Sequence, residues 1–222
     1  RTARAVAALE AEDLDALLMF APESHFWISG YDTFGFAMFQ CMVLTRGGAL
    51  HLLTRMPDLR QAQQTSTLRD DHIHIWEETA ESTPAKDLAK LLAELSVCGR
   101  IGFENATAGL TDANGQALRA AIEGLIEAPH LIRTLRQTKS EAEVAMHRKA
   151  AALSDDALDA GLALIGPGAF EGDILAAMQG AVFKAGGDYA GNEFVIGSGP
   201  SALLCRYFSG RRHLDAHDHL TL

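Results

Sequence analysis

Residues 132–158, IRTLRQTKSEAEVAMHRKAAALSDDAL, constrain the fold more than any other stretch, because the chain changes character on either side of them. The run reads as a strand end, a turn and a long helix. Ser140 stands directly ahead of a charged and apolar periodic run and Glu143 follows three residues later, the spacing of an N-terminal capping box. From there Val144, His147, Ala151, Ser154, Leu158 and Leu162 follow helical spacing, while Ala145, Ala150, Ala151 and Ala152 make one side slim enough for close packing. The face through Val144, His147, Ala151 and Leu158 is expected to bury against strands later in the chain. A slim helix after the basic hinge of Arg133, Arg136 and Lys139 marks a second domain beginning, with the boundary between Ile132 and Ser140. An ordinary connector helix fits the same pattern.

Ahead of this hinge, strands and helices alternate. Helical spacing runs from Arg4 to Leu14, and the apolar run after Asp15, Ala-Leu-Leu-Met-Phe-Ala21, fits a strand covered on both faces. Pro22 to Ser29 suggests a short helix that Gly30 ends. Phe39–Thr45 and Ala49–Thr54 read as strands of a hairpin turning at Arg46-Gly47-Gly48. A helix is expected from Met56 to Thr65, and a strand with one wetter face over His72–Trp76. Pro84 to Leu95 is amphipathic, with Leu88, Leu91, Leu92 and Leu95 on one stripe. Arg100–Glu104 reads as a strand, Asp112–Glu123 as a helix, and Pro129–Arg133 closes the half. The pattern is that of a three-layer α/β domain.

After the hinge, Gly166-Pro167-Gly168 breaks the long helix and a further helix runs from Phe170 to about Ala185, where Gly186-Gly187 stops it. Residues 192–199 and Ala202–Tyr207 look like strands around a glycine turn. The run 219–222 resembles a strand that needs a neighbour. The chain starts inside a helical pattern and stops in an apolar run, so it is expected to be part of a longer protein.

Composition narrows the function classes. A net charge of −10 over 222 residues argues against a partner held through nucleic-acid phosphates. No apolar run approaches the length of a membrane span. Cys41, Cys98 and Cys205 are too few and too far apart for a disulfide framework or a zinc pattern, which fits reduced thiols and a cytoplasmic location.

The order of Leu135-Arg-Gln-Thr-Lys-Ser140, a Glu-containing helix, Gly166-Pro-Gly168 and Gly197-Ser-Gly199 leading to Tyr207 resembles the creatinase and proline dipeptidase family, the pita-bread hydrolases. Phe26-Trp-Ile-Ser-Gly-Tyr31 is similar to the aromatic, Ser/Thr-Gly segment of that family's N-terminal domain. The resemblance implies a creatinase-like domain over residues 1–135 and the first part of an α+β pita-bread catalytic domain over residues 136–222. It further implies hydrolysis of a C–N bond in a small proline-like, guanidino or cyclic amino-acid substrate, or a dipeptide, by a homodimer. Metal-dependent members activate water with two divalent metals. Their ligands would lie after Leu222, so no metal residue is assigned here, whereas creatinase itself works without metal.

Two departures from the family pattern bear on the site. Where members carry a histidine after the Gly-Ser-Gly turn, this chain has Arg206, followed by Tyr207. An arginine keeps its proton and cannot serve as a base, yet its planar fork can hold a carboxylate or a developing anion. Arg206 and Tyr207 are therefore the catalytic candidates, against the alternatives of an ion-paired surface arginine and a half-buried strand tyrosine. A strand from Ala202 would place Leu204 and Arg206 on one face. Phe36, Met38 and Phe39 are the substrate-binding candidates, capping a pocket across a dimer interface; core packing explains the two phenylalanines as well. Met38 stands where creatinase has an arginine, which disfavours creatine, and Gly30-Tyr31-Asp32 with Phe36 and Gln40 looks closer to ectoine hydrolases.

His213, His217 and His219 match no helical zinc motif, and His72 and His74 read as solvated or edge residues. Ser198 lacks the setting of a nucleophile elbow. A catalytically inactive relative that binds peptide or protein, and a dimerisation fragment, are the competing functions. Arg206 supports the first of them.

Overall fold

The structure is a computed structural model that describes residues 1–222 apart from Gly35, Phe36, Glu78, Ala80, Glu81, Asn192 and residues 205–210. The chain divides into two compact units, Arg1–Thr138 and Lys139–Leu222.

The first unit is built on a six-stranded mixed sheet. The apolar run after Asp15 forms β1 (Ala16–Met19), and all four residues are buried. It pairs antiparallel with β2 (Cys41–Thr45) and parallel with β5 (Ile101–Phe103). Outward from β2 lie β3 (Leu50–Thr54), antiparallel to it, and then β4 (Ile73–Ile75), parallel to β3; β6 (Leu125–Glu127) flanks β5. Side chains alternate across the sheet. Leu17, Met19, Met42, Leu44 and Leu52 face one core, shared with α1 (Thr2–Ala11), α2 (Pro22–Ser29), α3 (Leu59–Thr65) and α6 (Leu131–Gln137). Ala16, Leu18, Phe20, Cys41, Val43 and Leu53 face the other, under α4 (Pro84–Glu94) and α5 (Asp112–Ala121). Helices on both faces make three layers, and the doubly covered β1 is why its sequence shows no alternation.

Local chemistry sets the element ends. Pro22 opens α2 and Gly30, at φ 81°, closes it with its N–H on the Phe26 carbonyl. A Cβ at Gly30 would also stand 3.0 Å from the Thr65 carbonyl oxygen. The β2–β3 hairpin turns at Gly48, φ 87°, with the Ala49 N–H also donating to Thr45 Oγ1.

One expectation for this unit changes, and one strand goes unannounced in the sequence. The stretch at Ile132 is helical, not a strand end: Leu131 and Ile132 are buried and Leu135 partly so, spaced along one side of α6. Strand β6 had no alternating pattern to announce it, since three residues are too short to show one.

In the second unit, α7 (Glu141–Leu162) carries the capping box. Ser140 Oγ accepts from the Glu143 N–H at 3.3 Å, and Glu143 accepts from the Ser140 N–H at 2.8 Å. The expected buried face is wrong. Ala157 and Gly161 are buried, with Leu153 half-buried, whereas His147, Ala151 and Leu158 are exposed and Val144 is half-buried. The partner is α8 (Glu171–Lys184) rather than a strand. Close approach explains the choice: a Cβ on Gly161 would stand 2.9 Å from Met178 Cγ, so the side that packs is the side without bulk.

The C-terminal run forms β8 (Leu220–Thr221), whose neighbour is β7 (Gly197–Ser198), with Gly197 opposite Thr221 and Ser198 opposite Leu220. The expected strand from Ala202 is absent over its described part. Gly199–Ser201 is a 3-10 turn that Pro200 favours, Ala202 is helical at φ −62° and ψ −22°, and Leu203 is 93% exposed.

Candidate functional site

The first unit presents a polar cluster in which the segment of residues 31–33 meets Gln40, Thr65 and residues 54–58. That segment starts from α2, and α2 is fixed at its N-terminus by Glu104, one residue beyond β5. Glu104 Oε2 accepts from the Phe20 and Ala21 N–H groups at 3.0 Å each, and Oε1 accepts from Ser24 Oγ at 2.6 Å. Burial pushes the Glu104 carboxyl above its usual range, against the three donors that favour its ionised form. His25, on the same helix, is fully buried with Nε2 at 2.8 Å from the Met19 carbonyl oxygen, and burial brings its pKa down to about 4.

Beyond Gly30 the segment is pinned by side chains. Tyr31 N donates to Ser29 Oγ and Asp32 N to Thr65 Oγ1. Thr33 Oγ1 donates to Gln40 Oε1 at 3.0 Å, and Gln40 Nε2 donates to Asp58 Oδ2 at 3.0 Å. The same Asp58 oxygen takes Arg55 Nε at 3.2 Å and Thr54 Oγ1 at 3.4 Å. Tyr31 lies fully buried among these groups. Its hydroxyl has no hydrogen-bond partner among the described residues, although Thr33, Thr54 and Gln40 surround it. Burial, with Asp58 adding to it, holds the phenol above its ordinary pKa.

The sequence candidates fall around this cluster unequally. Met38 is 37% exposed. Phe39 is buried in the α4/α5 core, with its ring edge-on to Phe20 at 5.6 Å and its carbonyl accepting from Trp76 Nε1 at 3.1 Å. Phe36, Arg206 and Tyr207 lie outside the described residues.

In the second unit the Gly-Ser-Gly turn is locked by a network that the sequence reading did not single out. Glu171, the first residue of α8, is fully buried; Oε1 accepts from Ser198 N at 2.9 Å and Ser198 Oγ at 2.6 Å, and Oε2 accepts from Arg212 N at 3.0 Å. Arg212 Nη1 donates to Ser198 Oγ and to Asp218, and Nη2 donates to Asp215. The Arg212 hydrogen bond holds the Asp218 carboxyl below its usual range, and Asp218 in turn raises Arg212. Gly199 stands at φ 53°, where any side chain is strained, and a Cβ there would also stand 2.7 Å from Arg212 Nη1 and from Asp218 Oδ1. Ser198 is fully buried, which keeps substrate from its hydroxyl and makes it a structural group.

The same network answers the histidine-rich run. Its carboxylates are taken by Arg212, while His213 packs against Phe170 with ring centroids 5.0 Å apart. Among the described residues no group of three or more His, Cys, Asp or Glu side chains is placed to hold a metal ion. Among them, too, no helix is long and apolar enough to cross a membrane.

Comparison with known proteins places the fold. Residues 1–138 match the Creatinase/Prolidase N-terminal domain. The X-Pro aminopeptidase of Thermotoga maritima superposes with a TM-score of 0.82 at 18% identity, covering 99% of this chain and 59% of its own. The Xaa-Pro dipeptidase of Bacillus anthracis gives 0.74 at 20% identity, over 99% and 58%. A curated relative from Sinorhizobium fredii, described as an uncharacterized hydrolase/peptidase, is 23% identical over 191 residues, 82% of this chain and 49% of that protein. The chain belongs to the creatinase/prolidase family. It spans about half the length of the curated relative it matches.

Proposed function

We propose that the protein is a C–N hydrolase of the Xaa-Pro peptidase type, acting on a dipeptide or a similarly small proline-like, guanidino or cyclic amino-acid substrate. The observation that carries this reading is the family domain over residues 1–138, together with structural relatives named as Xaa-Pro peptidases that align over nearly the whole chain. In this reading residues 1–135 are the creatinase-like domain and residues 136–222 begin a pita-bread catalytic domain. Arg206 anchors the substrate carboxylate beside Tyr207, and Phe36 and Met38 border the substrate in a homodimer, while Phe39, packed in the core, anchors their segment. The polar cluster of Tyr31, Gln40 and Asp58 supports a recognition role for that segment, because it holds the backbone on either side of Phe36 in place. A cytoplasmic location is supported by the free Cys41 and Cys98.

The test is proline release from Ala-Pro and Gly-Pro by the product of the complete reading frame, with and without added divalent metal. Release that depends on the intact chain is expected. No release from any Xaa-Pro dipeptide under either condition overturns the reading.

A further inference from the structure

The sheet face under α4 and α5 carries a histidine cluster unrelated to the hydrolase reading. β3 and β4 run parallel with Leu53 opposite His74, so His51, two residues before Leu53, shares a face with His74. His72 ends the 3-10 turn Asp70–His72 that leads into β4, and its ring lies beside them. His51 Nδ1 lies 3.1 Å from His74 Nε2, with ring centroids 5.3 Å apart. His72 stacks on His51 at 4.1 Å and 22°. Both nitrogens of His72 are engaged: one with the Leu50 carbonyl oxygen at 2.8 Å, the other with the Arg69 guanidinium at 2.9 Å. Since arginine only donates, His72 Nε2 carries the lone pair and Nδ1 the proton. His72 is a wall, and His51 and His74 are the pair that face each other.

We propose that His51 and His74 form a two-imidazole chelate for a divalent first-row transition ion of the zinc or copper type. Imidazole nitrogens bind such ions at about 2.0–2.1 Å, and ligand angles between square and tetrahedral then set the two nitrogens roughly 2.9–3.4 Å apart. The observed 3.1 Å falls inside that span, so rotation of the two rings about their side-chain bonds is what binding requires to aim both nitrogens at one ion. Without metal, one facing nitrogen must carry the proton that joins the rings. On binding, that proton moves to the far nitrogen of its own ring, and both facing nitrogens turn lone pairs to the ion. Among the described residues no third protein ligand closes the shell, so water completes it. Two nitrogens and water select against magnesium and calcium, which take oxygen shells. The carboxylates of Glu94 and Asp71 act on His74 and partly offset the nearby Arg69 cation. A bound ion would tie β3 to the edge strand β4.

The experiment is calorimetric titration of the whole chain with zinc chloride and with copper sulfate at neutral pH. One equivalent is expected for the wild type and for His217→Gln. Loss of a partner that only supports a ligand already weakens metal sites 10–100-fold, so His74→Gln should weaken this one by at least about tenfold. Should His74→Gln fail to fold, imidazole NMR of the wild type decides: zinc should shift the His51 and His74 ring signals and spare His25. No binding, binding unchanged in His74→Gln, or zinc shifts confined to residues 213–219 would overturn the proposal.

Discussion

Replacing Glu104 tests how a buried carboxylate holds the segment that leads to the candidate site. Glu104→Ala removes the acceptor for two backbone N–H groups and one hydroxyl. Each buried donor left without a partner costs about 1–3 kcal/mol. The Ala21 N–H is only part-buried and recovers a water, so the Phe20 and Ser24 donors dominate and the loss is about 3 kcal/mol. Glu104→Gln behaves differently. Its carbonyl oxygen can take both N–H groups and its amide can donate to Ser24 Oγ, so it should cost under about 1 kcal/mol. The sign of the pH dependence follows from the raised pKa of Glu104. A carboxyl whose folded pKa lies above its unfolded value contributes stability that is fully present below the unfolded pKa and is lost as pH rises through the folded one. The deficit of the Gln variant relative to wild type should therefore shrink as pH rises from acid to neutral. Urea unfolding followed by far-UV circular dichroism, at several pH values, measures all three chains. If Gln costs as much as Ala, the negative charge is itself required and the argument from neutral hydrogen bonding is refuted.

Other outcomes follow from the same geometry. His25 has its pKa held at about 4 by burial against an ordinary 6.5, so its contribution is present above pH 6.5 and is lost as pH falls toward 4. That loss amounts to at most about 3 kcal/mol, and NMR should show no titration of its ring above pH 5. Gly161→Val forces a branched side chain against Met178 and Ile174, and should destabilise the second unit by about 1–3 kcal/mol in thermal melts. If Arg206 holds a substrate carboxylate, Arg206→Ala in the complete protein should lower kcat/KM by the equivalent of about 1.5–3 kcal/mol, and Arg206→Lys by less. Unchanged kinetics in both variants would place Arg206 outside the site.

What the residues disclosed depended on how local the determinant was. α2 and its end at Gly30 were readable because proline and a left-handed glycine act within one turn. β1 was readable because two covered faces leave an unbroken apolar run. The packed side of α7 was not. Leu158 and Leu162 suggested burial by hydrophobicity, yet both are exposed, and closeness to α8 selected Ala157 and Gly161 instead. The Glu171, Ser198 and Arg212 network was hidden for another reason: its members are 27 and 41 residues apart, and no periodicity connects them. Alternation suggested that His72 and His74 share a face. Only the β3–β4 pairing brought His51 to them.

Glu104 also sets a schedule. It lies 84 residues downstream of Phe20, whose N–H it accepts. A chain made at about 5–20 residues per second therefore exposes β1 and α2 roughly 4–17 s before their clamp exists. The β2–β3 hairpin can close in that interval, since its register needs only neighbours in sequence. α2 then lacks its acceptor, and the β1 edge that β5 will occupy stays open. A nascent chain arrested before residue 104 should thus be more easily cut by protease around residues 20–40 than one arrested after residue 138, and a chaperone would find its target in that window.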